Sequence, residues 1–120
     1  IPDGTEVVHT VRLRTAGDSP IAVLTNYLPG HLVEFDREDL EQRGLYQLMR
    51  QSGVQLFSAT QTVGARNATP AEAKLLGESR GAALLTMQRD TMDENGTIVE
   101  YGTHIYAASR YSFETHLTRP

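Results

Sequence analysis

A chain of 120 residues suffices for one domain with a single hydrophobic core and is too short for two ordinary ones. Its net charge of −4, with no cluster of Lys or Arg, argues against the basic patch that direct contact with a nucleic-acid backbone requires. The absence of cysteine removes disulfides, thiolate nucleophiles and Cys-based metal sites, and no stretch reads as a signal peptide or spanning helix, so a cytoplasmic chain with no membrane partner is expected.

The chain opens with Ile1-Pro2-Asp3-Gly4 rather than Met, which reads as a piece of something longer. Glu6–Thr15 alternates, with Val7, His9, Val11 and Leu13 on one face and Val8, Thr10, Arg12 and Arg14 on the other. The apolar company of His9 suggests a satisfied core histidine. Ala16-Gly17-Asp18-Ser19 is turn chemistry, and a second apolar run, Ile21–Leu28, closes at Pro29-Gly30, so a hairpin is expected. From Asp36 a polar, helix-compatible segment follows, with Leu45, Leu48 and Met49 as its apolar stripe and Gly53 as its stop.

Val54–Ala65 alternates as a third strand. Thr69-Pro70-Ala71-Glu72 supplies a cap, a preset φ and a capping box for a short helix ending near Leu76-Gly77. Gly81–Met92 reads as a fourth strand, and Asp93-Glu94-Asn95-Gly96 is the sharpest hairpin signal. The fifth strand runs to Ala107, with Ile98, Glu100, Gly102, His104 and Tyr106 on one face. Val99, Tyr101, Thr103, Ile105 and Ala107 lie on the other, which reads as the side that helices cover. Past a corner at Ser109-Arg110, the alternation of Tyr111, Phe113, Thr115 and Leu117 predicts a sixth strand. Tight hairpins in this order imply an α+β fold, an antiparallel sheet with short helices on one face.

The two halves echo one another. Gly4 precedes Arg12 by the spacing that separates Gly81 from Arg89, and each arginine is followed by a Gly-containing turn and another apolar strand. The second copy is preceded by a strand and capped helix and the first is not, which suggests that a strand–helix unit once stood before Ile1. Arg89 itself reads as a structural ion-pair partner for Asp90, Asp93 or Glu94.

Arg12 and Arg14 place two like charges two residues apart on one strand face. Solvated arginines would satisfy the pattern, and so would forks gripping a phosphate or carboxylate. Glu100, His104 and Tyr106 share a face and are open to solvent, core or ligand readings. His9, His31, His104 and His116 show no metal-ligand spacing, and neither a nucleophile elbow nor a phosphate-cradling glycine loop is present.

An ordered set of motifs spans nearly the whole chain: Arg12-Leu13-Arg14, Gly17-x-x-Pro20, Thr25-Asn26-Tyr27-Leu28-Pro29, Ala71-Glu72-x-x-Leu75-Leu76-Gly77, Gly96-Thr97-Ile98-Val99-Glu100-Tyr101 and Arg110-Tyr111-x-Phe113. This set resembles the UTRA domain, the effector-sensing half of HutC-subfamily GntR transcription regulators. The resemblance implies a chorismate-lyase-like fold over residues 1–120, a homodimer, and a winged helix-turn-helix upstream that makes the DNA contact in place of this domain. It further implies that Arg12 and Arg14 grip an anionic small-molecule effector, that Glu100 and Tyr106 bond its polar part, and that Tyr46 faces it; His104, by sharing the Glu100 and Tyr106 strand face, is a further candidate ligand contact. No cofactor or metal is implied. Leu24 stands where sugar-phosphate sensors often carry a glutamate, and Gly44 where a serine is common. Those departures favour an anionic but less hydroxylated effector. Two other readings stay open: a chorismate-lyase-like enzyme in which Glu100 is the acid or base, and a dimerisation domain with a vestigial pocket.

Overall fold

The alternating amino-terminal residues form β1 (Val7–Ala16) and β2 (Ser19–Pro29) in the computed structural model, which describes residues 4–119. Ile1, Pro2 and Asp3, on which the expectation of a longer chain drew, lie outside the described residues. Gly17 adopts φ +61° in the two-residue connection, a conformation open to glycine at little cost. A 3₁₀ turn (Gly30–Leu32) leads to α1 (Arg37–Gln42) and α2 (Leu45–Gln51). The chain continues through β3 (Ser58–Asn67), α3 (Pro70–Leu76), β4 (Ala83–Met92) and β5 (Ile98–Ala107). The five strands lie in the order β1-β2-β5-β4-β3, antiparallel throughout, so β5 is the middle strand.

The helical segment after Asp36 is two helices rather than one. Asp36 accepts the Asp39 N–H and Asp39 accepts the Asp36 N–H, a reciprocal cap that starts α1. Extended backbone at Arg43 and Gly44 ends it, and α2 begins afresh with Gly44 as its N-cap. The expected box at Thr69 and Glu72 forms, and Gly77 closes α3 at φ +64°. A bidentate bond from Arg66 to Glu72 holds that carboxyl down at a pKa of about 2.

Helices cover both faces of the sheet, not one. α3 packs Ala73 and Leu76 on Val23, Ile105 and Ala107, the face expected to be apolar. α2 lies across the other face, with Leu45 and Met49 against Leu28 and Val99. Val99 reaches that cluster through a β-bulge. Thr91 faces Glu100 and Met92 faces Ile98, which leaves Val99 as an extra residue, and Val99 and Glu100 are both buried. α2 therefore roofs the polar face.

Three other expectations need correction. β3 starts at Ser58 because Val54 and Leu56 are taken by the α2 core; Gly53, at φ +90°, turns the chain so that the Val54 N–H bonds the Met49 carbonyl. No sixth strand forms within residues 111–119, because β5 is already paired with β2 and β4 and a hairpin leaving it meets no vacant edge. Instead Arg110 bonds the Leu76 carbonyl and Tyr111 stacks on Tyr106 at 4.2 Å between ring centres. His9 is exposed and stacks on Tyr27 at 4.6 Å rather than entering a core.

Met49 is fully buried between α2 and the sheet, so Met49→Ala should cost about 2–5 kcal/mol and loosen the roof, read as a lowered midpoint in urea.

Candidate functional site

Strand register places the polar side chains in rows across the face beneath α2. One row runs Arg12, Leu24, His104, Met87; the next runs Thr10, Asn26, Gly102, Arg89, Gln61; a third joins Arg14, Ala22 and Tyr106. Gly102 sits amid them because a side chain there has no room: a Cβ would lie 2.7 Å from Glu100 Oε2 and 3.0 Å from His104 Nε2. The glycine makes the space in which the longer neighbours meet.

The centre is Glu100, with no exposed surface. Its Oε1 accepts from the Tyr46 and Thr91 hydroxyls, each at 2.8 Å, and its Oε2 accepts from Asn26 Nδ2 at 3.1 Å. Arg12 only donates, and it donates to Asn26 Oδ1 at 3.2 Å, which sets the amide orientation. The amide nitrogen then faces His104 Nε2 at 3.4 Å, so that ring nitrogen accepts and the proton sits on Nδ1. Burial, with Arg89 and Arg12 nearby, lowers the His104 pKa to about 4, consistent with a neutral ring. On the far side Arg89 donates to the Tyr46 hydroxyl at 2.6 Å and to Gln61 Oε1 at 2.9 and 2.5 Å. Burial raises the pKa of the Tyr46 and Tyr106 phenols, which keeps both neutral and able to donate.

Above this floor lies a cavity of about 540 Å³. Four guanidinium-bearing residues line it: Arg12 and Arg14 on β1, Arg50 on α2 and Arg89 on β4, while the lining contains no Asp or Glu. The ion pairs among the described residues belong to other arginines, Arg37, Arg43, Arg66 and Arg110. Burial lowers the pKa of Arg12, with Glu100 pulling the other way, and Arg12 Nε is buried without a hydrogen-bond partner. A buried donor in this condition costs roughly 1–3 kcal/mol until an acceptor arrives.

Of the six residues singled out in the sequence, Arg12, Arg14, Tyr46, His104 and Tyr106 line this cavity. Glu100 lies beneath it, its oxygens engaged by the floor. Arg89, expected in an ion pair with Asp90, Asp93 or Glu94, points into the cavity instead; its echo of Arg12 was the available signal. Asn26, Gly102, Arg50 and Gln61 carried no such signal, because each acquires its place only from strand register or the helix roof. Among the described residues no three His, Asp or Glu stand close enough to hold a metal ion, and no helix is long and apolar enough to cross a membrane.

Residues 1–112 match the family model described as the UTRA domain. The chain is 31% identical over 114 residues to the HTH-type transcriptional repressor NagR of Bacillus subtilis (strain 168), covering 93% of this chain and 47% of NagR. It thus spans about half the length of the curated relatives it matches. A crystal structure described as a transcriptional regulator from Streptomyces coelicolor superposes with TM-score 0.91 at 54% identity, over 95% of this chain and 77% of that one. The structure described as the ligand-binding domain of a GntR-family regulator from Bordetella bronchiseptica gives TM-score 0.87 at 26% identity, over 96% and 75%.

Two outcomes follow from the floor. Gly102→Ala should lose about 1–3 kcal/mol of stability by urea unfolding, since the added methyl must displace a fully bonded carboxylate. His104 should make stability acid-sensitive. Its folded pKa of about 4 lies below the ordinary 6.5, so the unfolded chain takes up the proton first as pH falls. The His104 contribution is present above pH 6.5 and is lost between there and pH 4. Thermal midpoints across this range should fall less in His104→Gln than in the parent.

Proposed function

The chain belongs to the UTRA domain family, the effector domain of GntR-type transcriptional regulators, and from that premise we propose that its cavity binds an anionic metabolite whose arrival alters DNA binding by a separate domain. The observation that carries the proposal is the cluster of Arg12, Arg14, Arg50 and Arg89 around one hollow with no acidic residue in its lining. Four cations facing one another across a partly desolvated space repel, and one buried carboxylate below them offsets only part of that charge. A phosphate or carboxylate relieves the repulsion and takes bidentate bonds from planar forks.

A route from effector to roof accompanies this reading. Arg89 holds the Tyr46 hydroxyl, and Tyr46 is the second residue of α2, so an anion that draws Arg89 away competes directly with a helix anchor. The DNA-binding domain that receives the signal, the homodimer in which such domains pair and the cytoplasmic setting belong to the same proposal.

The domain acts as a sensor and not as a catalyst in this account. Glu100, the candidate acid or base of a lyase reading, already accepts three hydrogen bonds and does not line the cavity. Incubation with chorismate should therefore yield no 4-hydroxybenzoate, and turnover would overturn the sensor reading.

Thermal shift against sugar phosphates and small organic acids tests the binding itself. A ligand at 100 times its Kd should stabilise the fold by about 2.7 kcal/mol. Arg14→Ala, at an exposed position, should keep the unliganded midpoint and lose the anion-induced rise. Unfolding of that variant would make the arginine structural. Sedimentation equilibrium checks the dimer.

A further inference from the structure

A second hollow adjoins the arginine-lined cavity. It is a trough of about 920 Å³ between β1 and α1, and the two share Arg12, Arg14, Leu24 and Gly44 as wall residues. The trough differs in chemistry. Val8 and Leu24 lie on its strand side, Val33, Phe35 and Leu40 face them from the segment that follows β2, and Thr10, Asp36, Arg37 and Glu41 complete the wall. The latter three are only partly buried, packed on the edge of the Leu28, Leu45 and Met49 cluster. Hydrocarbon left at such a wall is hydrated at a cost proportional to its area.

The two buried side-chain polar atoms without partners among the described residues are Thr10 Oγ1 and Arg12 Nε. Both belong to residues that line the trough, two positions apart on the same face of β1. One is a cation's donor and the other can donate or accept. Arg12, which lines both hollows, thus sets a cation at the place where cavity and trough adjoin.

We propose that the effector is bipartite: a carboxylate or phosphate head in the arginine-lined cavity, and an alkyl or aryl body laid in the trough against Val8, Leu24, Val33, Phe35 and Leu40. This rests on the anionic-effector reading and narrows it to amphipathic organic acids and phosphate monoesters. A compact polyhydroxylated phosphate fits less well. It would leave the hydrocarbon of Val8, Val33, Phe35 and Leu40 wet. Leu24, at the shared wall, gives the ligand hydrocarbon contact where the two parts join.

Calorimetric titration of the chain with straight-chain carboxylates from acetate to decanoate, and with inorganic phosphate and the matching monoalkyl phosphates, tests it. The expected result is a Kd that tightens about three- to fourfold with each added methylene until the trough is filled, in whichever head series binds. The ratio of Kd for butyrate to Kd for octanoate, or of the matching phosphates, should shrink at least tenfold in Phe35→Gln. The nearly isosteric Val8→Thr, which spares the fold, should shrink it by a smaller factor. Short anions that bind as tightly as long ones would overturn the bipartite effector and leave the anionic reading standing. Failure of every carboxylate and phosphate, inorganic phosphate included, would overturn both.

Discussion

A carboxylate removed from water at the centre of a sheet must find donors, and the architecture of this domain around Glu100 follows from that requirement. Tyr46 comes from the roof helix, Thr91 from β4 and Asn26 from β2, so one buried charge ties α2 to two strands beside its own. Removing any one donor leaves an oxygen short of a bond in a place water does not reach. The network also sets the orientation of groups that do not touch Glu100. Arg12 is oriented by Asn26, and Arg89 by Tyr46 and Gln61, so two cations separated by the width of the central strand pair are aimed into one space.

The cavity inherits its sign from this arrangement. The floor uses its acidic group for structure and presents guanidinium groups, neutral phenols and a neutral imidazole to the space above. Such a surface discriminates by charge before shape: an anion finds fixed donors that need little reorganisation, and a cation finds none. The adjoining trough, with aliphatic and aromatic walls, adds a second criterion of a different kind. In the proposed reading, charge sets which ligands enter and hydrocarbon sets how long they stay.

Much of the fold was legible in the sequence because the hairpins are local. Gly17, the Asp93–Gly96 turn and the Thr69–Glu72 box each announce themselves within a few residues. The convergence of Arg12, Arg14, His104 and Tyr106 was legible too, since period-two alternation assigns faces and antiparallel pairing puts those faces together. What stayed hidden was non-local. The alternation of Val54 to Phe57 looked like strand because nothing nearby reveals that Met49 will claim Val54. Arg89 looked like a partner for the acids next to it in sequence, yet their side chains sit on another face or in the turn. Gly102 was legible only as a member of one strand face, and its reason is the side chains of Glu100, His104 and Asn26 meeting over it. The roof over the polar face was missed because helices were expected on the apolar side, whereas a polar layer whose central carboxylate is well bonded can also lie beneath a helix.

The bulge at Val99 gives the chain a dependence on counting that no single side chain reveals. With the extra residue in place, valine and glutamate both turn inward and the imidazole and phenol follow on the same side. Delete Val99 with the pairs on either side kept, and Glu100 still faces Thr91 while the roof core loses a valine; slip the strand by one residue instead, and the carboxylate would emerge on the α3 side with Tyr101 in its place under the roof. Substitutions in this segment erode the site by degrees, whereas a change of register reverses it at a stroke. The domain's chemistry is thus guarded by arithmetic as much as by composition.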